Sequence, residues 1–327
     1  MAGFRSKQQL LRKVPMSDKL SNKRLHRRAV PLAAALCLAG MAICSGVGAA
    51  GLLDSYGDMR ETTSYRATHE DTLLDVARRF SLGYVEIVAA NPDTDPWIPG
   101  EGTNVVLPTV HLPPDAAPEG IIINLADMRL YYFAEPGGPM QSFPIGIGRE
   151  GLLTPIGSTE VVRKQKDPTW RPTARMRSEN PELPKAVPPG PDNPLGNRAM
   201  YLGWPQYLIH GTNKPLGIGR RTSSGCVRMY PEDVEYLFDV VAVGTMVTVV
   251  DQPIKLSWID DALYIEAHPT QAQSDQIEMS GTFDPILDSS VVDQVLAVAG
   301  DRAPTLDWSR IRQATLERRG YPIRISR

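Results

Sequence analysis

Tyr207-Leu208-Ile209-His210-Gly211-Thr212-Asn213, followed after nine residues by Ser223-Ser224-Gly225-Cys226-Val227-Arg228, is the stretch on which fold and chemistry turn. The apolar run predicts a strand that ends on the imidazole of His210. Ser224-Gly225 predicts a small-residue turn that delivers Cys226 just ahead of a helix. Pro231 suits the first helical position of that helix, and Glu232 and Asp233 suit its positive end. Val234, Leu237, Phe238 and Val241 share one face, and Gly244 ends it. Thiolate is the reactive form of cysteine and a free thiol titrates near ~8.5, so a partner must help it ionise. A neighbouring imidazole can take the proton and hold the ion pair, provided a third group fixes its tautomer. Ser224-Gly225-Cys226 is flexible enough to aim successive backbone N–H groups at one point, as an oxyanion hole requires; each such donor is worth roughly 2.7–4 kcal/mol. Spacing allows the two side chains to meet but does not by itself join them.

Outward from this stretch the chain is rich in strand signals. Runs 121–125 and 129–133 flank the turn Ala126-Asp127-Met128 and predict a hairpin. Further strands are expected at 142–147, 158–163, 200–202, 207–210 and 245–250. Residues 167–197 form a Pro-rich excursion without periodicity, a length typical of a functional lid or of disorder. Upstream, residues 62–109 read as a separate α+β unit. A short strand at 65–67 precedes a helix opened by Glu70-Asp71-Thr72, a second helix over 84–90 stops at Asn91-Pro92, and 104–107 forms a closing strand. Residues 110–119 form a Pro-rich linker. The tail beyond 252 is expected to be helical, with helices at 291–299 and 308–318.

With 327 residues the chain has room for two or three folded units. Its net charge of -2 hides an asymmetry. Residues 1–28 carry nine Lys/Arg and one acid, which leaves 26 basic and 36 acidic residues in the remainder. A body that acidic argues against a nucleic-acid partner. The basic head runs into an apolar segment, 29–50, that ends in small residues, the pattern of a signal peptide or an inner-membrane signal anchor. Ile43 before Cys44 is too large for a lipoprotein cleavage site. Residues 51–327 are thus expected outside the cytoplasm, in the periplasm, and Cys37 and Cys44 do not enter the exported part. That leaves Cys226 as a lone thiol in an oxidising compartment, which suggests a reactive one. No metal or cofactor is expected: His69, His111 and His268 have no motif linking them to His210 and Cys226, and His69 and His268 read as ordinary surface residues. Gly217-Ile218-Gly219 lacks the strand–helix setting of a nucleotide loop.

His-Gly-Thr-Asn followed by Ser-Ser-Gly-Cys-Val-Arg resembles the signature of the L,D-transpeptidases with a YkuD-type domain. Ile145-Gly146-Ile147-Gly148, Thr154-Pro155-Ile156, Pro168-Thr169-Trp170 and Ala199-Met200-Tyr201-Leu202 resemble its ErfK/YbiS-like branch. Asp71-Thr72-Leu73, Asn91-Pro92 and Ile98-Pro99-Gly100 resemble a LysM module. The resemblance implies a mainly β, sandwich-like catalytic domain over 120–251, joined to a LysM domain that binds the glycan of peptidoglycan. It implies Cys226 as nucleophile, His210 as base, the Gly211 carbonyl as orienter of the imidazole, and Ser224, Gly225 and Cys226 N–H groups as the oxyanion hole. Arg228 would shape the pocket or meet a substrate carboxylate, with Tyr201, Thr212, Asn213 and Trp170 as further substrate contacts. Ser224 departs from the pattern, since many members carry a second histidine there; a backbone role at that position keeps the departure compatible with activity. The local charge agrees with a carboxylate-rich peptide, because residues 163–228 hold twelve Lys/Arg against four acids. That charge is also expected to depress the thiol pKa. The implied reaction takes a tetrapeptide stem of peptidoglycan, releases D-alanine, and passes the acyl group to a diaminopimelate amine or to a lysine of an outer-membrane lipoprotein. Rival readings are a hydrolase on the same scaffold and a wall-binding protein that has lost catalysis.

Overall fold

A computed structural model describes residues 63–327; the basic head, the apolar segment, Cys37 and Cys44 lie outside them. Strand β1 (Thr63–Arg66) pairs antiparallel with β2 (Asn104–Leu107), and between them run helices α1 (Leu73–Arg79) and α2 (Tyr84–Ala90). Thr72 and Asp75 cap α1 reciprocally, satisfying donors that the helix itself leaves open. Helix α2 begins at Gly83, which has no side chain to cap with. Its first free donors, Tyr84 N–H and Val85 N–H, instead reach the carbonyls of Ile218 and Gly219 at 3.3 and 3.1 Å. A Cβ at Gly83 would lie 2.7 Å from the Cα of Gly219, and one at Gly219 (φ +72) would lie 2.1 Å from Tyr84 N. This small unit is therefore fastened to the very loop that separates His210 from Cys226.

Nine strands build one sheet: β3 (Gly120–Asn124), β4 (Arg129–Phe133), β5 (Met140–Gly148), β6 (Gly157–Lys166), β7 (Arg198–Leu202), β8 (Leu208–His210), β9 (Arg221–Ser223), β10 (Val227–Met229) and β11 (Met246–Val250). Their order is β10-β8-β7-β6-β11-β3-β4-β5-β9, and β10 also pairs with β5, so eight of them close into a ring. The mainly β catalytic domain expected is thus built from one hydrogen-bonded sheet bent back on itself. Closure needs close backbone approach at Gly146, where a Cβ would meet Gly217 O at 2.6 Å. A short helix, α3 (Ala174–Glu179), interrupts the excursion before β7, and α4 (Pro231–Val240) buries Val234, Leu237 and Phe238 against the sheet. One core runs from Leu73 and Ile87 of the first unit to Ile145, Ile209 and Leu237.

Beyond β11 the two expected helices are present, but the tail also carries a sheet and a further helix that were not expected. The hairpin β12 (Ile254–Ile259) and β13 (Ala262–Ala267), joined later by β14 (Ile323–Arg324), forms a sheet; α5 (Gln271–Ser280) packs on α2, while α6 (Ser290–Ala299) and α7 (Trp308–Glu317) cover this sheet. Its turn residues Asp260 and Asp261 both have positive φ, as a two-residue hairpin loop demands. This sheet contributes Lys255, Glu266 and His268 to a buried ionic junction. Lys255 Nζ lies 2.9 Å from both Asp127 and Glu266, while His268 donates to Glu266 at 2.6 Å. His111 and the Leu112 N–H also reach Glu266, and Arg129 meets Glu86 of α2 at 2.9 Å. One expectation fails here. His268 is buried instead of exposed, and His111 and Leu112 at the start of the Pro-rich linker are buried as well. Glu266, 155 residues from His111, and Arg318, 50 residues from His268, supply the reason.

Candidate active site

Strands β8 and β10 run parallel, with Ile209 opposite Val227 and His210 opposite Arg228. Side chains alternate along a strand, so His210 and Leu208 share a face with Arg228 and Cys226. His210 then sits diagonally across from Cys226, roughly 8 Å away between Cα atoms for strands ~4.8 Å apart rising ~3.3 Å per residue. Strand pairing thus brings base and thiol candidates together, which spacing alone left open. No hydrogen bond joins them among the described residues: the Cys226 sulfur lies 3.4 Å from Gln206 O. His210 Nδ1 lies 2.6 Å from the Gly211 carbonyl. A carbonyl can only accept, so Nδ1 carries the proton and Nε2 is the basic nitrogen of the neutral ring. The Leu195 carbonyl also acts on the ring and favours its protonated form.

Burial governs the protonation of both groups. It lowers His210 to about 4, with the Arg228 charge adding to the effect and the Gly211 and Leu195 carbonyls opposing it. It raises the Cys226 thiol above its ordinary value, against a backbone hydrogen bond at Leu208 and the charge of Arg228. The resting pair is therefore thiol and neutral imidazole, and the expected thiolate–imidazolium pair is not the resting state. The low-dielectric setting disfavours two separated charges more than nearby cations favour the thiolate. A neutral imidazole remains free to accept a proton when the sulfur attacks.

The turn before Cys226 is held by hydroxyls. Ser223 Oγ accepts from Gly225 N–H at 3.0 Å and donates to Cys226 O at 2.6 Å. Thr154 Oγ1 donates to Gly225 O at 2.8 Å. Gly225 has φ +109, and a Cβ there would meet Tyr207 at 2.9 Å. Gly225 N–H, one of the three oxyanion-hole donors expected from the sequence, is already engaged by Ser223 Oγ.

Cys226 and Ser224 open on a cavity of about 530 Å³. Trp170 and Tyr201 line it, as expected, together with Leu153, Tyr207, Arg171, Arg175 and Met176. Other expected contacts are elsewhere. Thr212 is buried and accepts from Lys214 N–H, Asn213 donates to Asp192 O at 3.0 Å, and Arg228 leans toward Thr222 at 3.4 Å. Thr212 and Asn213 brace the chain after β8, and none of the three lines the cavity. The hydroxyl role of Ser223 and the contacts of Gln206 and Met176 escaped sequence reasoning, because motif spacing does not report side-chain contacts. Asp127, Glu266 and His268 could geometrically hold a metal, but Lys255 Nζ already supplies the positive charge there.

YbiS of Escherichia coli (strain K12), named a probable L,D-transpeptidase, is 40% identical over 260 residues, covering 76% of this chain and 82% of that protein. The chain belongs to the L,D-transpeptidase family. ErfK/SrfK of Salmonella typhimurium (strain LT2), also named a probable L,D-transpeptidase, is 39% identical over 256 residues, covering 76% of this chain and 81% of that protein. The YkuD family, the L,D-transpeptidase catalytic domain, matches residues 118–249. In this L,D-transpeptidase family member the matched span starts just ahead of β3 and ends within β11, so it takes in the closed sheet and the cavity.

Proposed function

We propose that Cys226 is the nucleophile and His210 Nε2 the base of a peptidoglycan L,D-transpeptidase. The observation that supports this reading is the shared face of β8 and β10, which puts buried His210 diagonally behind Cys226, and Cys226 on the wall of an open cavity. The Cys226 sulfur attacks the carbonyl of the third residue of a tetrapeptide stem while its proton passes to His210. Ser224 and Cys226 N–H stabilise the oxyanion. As the C–N bond breaks, His210 returns the proton to the departing amine of D-alanine, leaving a thioester. A second amine, from diaminopimelate on another stem or a lipoprotein lysine, attacks that thioester; its proton passes through His210 back to the sulfur. Residues 62–109 are read as a LysM glycan-binding module, supported by the strand–helix–helix–strand order over 63–107. Residues 1–50 are read as an export signal or anchor that places the rest in the periplasm.

Incubation of the purified protein with tetrapeptide muropeptides, followed by mass analysis, tests the reaction. D-alanine release and cross-linked dimers are expected, and Cys226→Ala should reduce both to background. Release that survives this change refutes the assignment.

A further inference from the structure

The twelve cations of residues 163–228 do not crowd the thiol. Arg220 and Arg221 pair with Glu278 and Asp275 of α5, Lys164 donates to Val241 O at 2.6 Å, and Arg163 stacks on Tyr201 with its guanidinium 3.4 Å from the ring centroid. Arg171 and Arg175 are the charged residues that line the cavity, and no aspartate or glutamate lines it. Glu179 already binds Arg175 at 2.6 Å. Arg171 has no carboxylate within ion-pair distance among the described residues. Its backbone is nonetheless well placed. Adjacent Trp170 exchanges two 2.9 Å hydrogen bonds with Val187, Thr173 caps α3, and the buried Asn193 amide ties Pro168 O at 2.7 Å and Pro188 O at 3.0 Å. A cavity walled by aromatic and apolar groups, with one unneutralised guanidinium on a braced segment, has the chemistry of a carboxylate receptor.

We infer that Arg171, assisted by Arg175, receives a free carboxylate of the acyl-donor peptide and sets the enzyme's preference for unamidated donors. This rests on the reading of the cavity as the donor site of the transpeptidase. Two carboxylates of a tetrapeptide could serve: the side-chain carboxylate of its third residue and the C-terminal carboxylate of D-alanine.

The test uses the full-length protein and three synthetic tetrapeptides, one with both carboxylates free, one amidated at the third side chain, and one amidated at the C-terminus. Release of D-alanine (or its amide) gives kcat and KM for the parent, Arg171→Ala and Arg171→Lys. We expect Arg171→Ala to lower kcat/KM for the free peptide by about 10- to 100-fold, the range of a charge-assisted hydrogen bond. The same change should leave one of the amidated peptides unaffected, with partial recovery in Arg171→Lys and an unchanged melting temperature. The insensitive amide identifies the carboxylate. An equal loss on all three peptides, or no loss on any, overturns the inference. Equilibrium binding of the three peptides to Cys226→Ala, read by tryptophan fluorescence, reports the same preference without turnover. Preference in binding with no D-alanine release from the parent protein defeats the proposed reaction and keeps the role of Arg171; turnover without preference does the reverse.

Discussion

The ionic junction around Glu266 and the cavity around Cys226 both hold titratable groups away from water, and they do so in opposite ways. In the junction every carboxylate faces a cation. Burial alone would raise Glu266, but Lys255 and the two histidines hold it well below the carboxylate range. Lys255 would fall on burial, and its two carboxylates keep it raised. In the cavity burial outweighs the nearby Arg228 charge at Cys226 and keeps both members of the pair neutral. The first arrangement suits a joint, since paired buried charges are costly to separate. The second suits a reaction, since proton transfer then accompanies attack instead of preceding it.

Removing the base should break the cavity side of this contrast most severely. His210→Asn is expected to lower kcat/KM for D-alanine release by about 10²–10⁴-fold with the fold retained, as steady-state kinetics and circular dichroism would show. In the parent protein the acid limb of kcat/KM should fall near pH 4, because the buried imidazole stays neutral down to about 4. The sign for stability follows. Between roughly pH 6.5 and 4 the unfolded imidazole is protonated and the folded one is not, so folding stability drops as pH falls through that window. His210→Asn should remove that part of the slope in denaturant titrations at several pH values.

Lys255→Met should break the junction side. It leaves Asp127 and Glu266 buried with their main counter-charge gone, at a cost of about 3–5 kcal/mol. Thermal unfolding should show it, with recovery when Glu266→Gln is added. No recovery would mean that packing, not charge, dominates there. Gly219→Ala probes the seam between α2 and the loop that leads to Cys226. Its clash with Tyr84 N should cost about 1–3 kcal/mol and lower activity as well as stability. Loss of stability alone would show that the cavity does not depend on the docked unit. At the small end, Arg78→Ala removes an exposed pair with Glu232 on the same seam and should change stability by less than about 1 kcal/mol.

Much of the fold could be read locally. Strand β4 falls where the run 129–133 predicts it, and α2 occupies the predicted 84–90. The β12–β13 hairpin escaped notice although Ile254, Leu256 and Trp258 alternate before an Asp-Asp turn, and α5 did so although Thr270 and Gln273 form its capping box. Those signals were present and weak. Lys255 and Glu266 were harder still, because charged residues inside a strand ordinarily mark its wet face, and only partners far along the chain bury them.

By itself the sequence determined which chemistry was available: one thiol outside the apolar head, a histidine closing an apolar run, and a glycine between two serines and that thiol. Tertiary structure alone decided that β8 and β10 lie side by side, that burial leaves thiol and imidazole uncharged, and that Arg171 faces the cavity while Arg220 and Arg221 do not. Periodicity reports how a segment relates to its own neighbours in the chain. Adjacency across strands, and the desolvation that sets protonation, arise only when distant segments exclude water together.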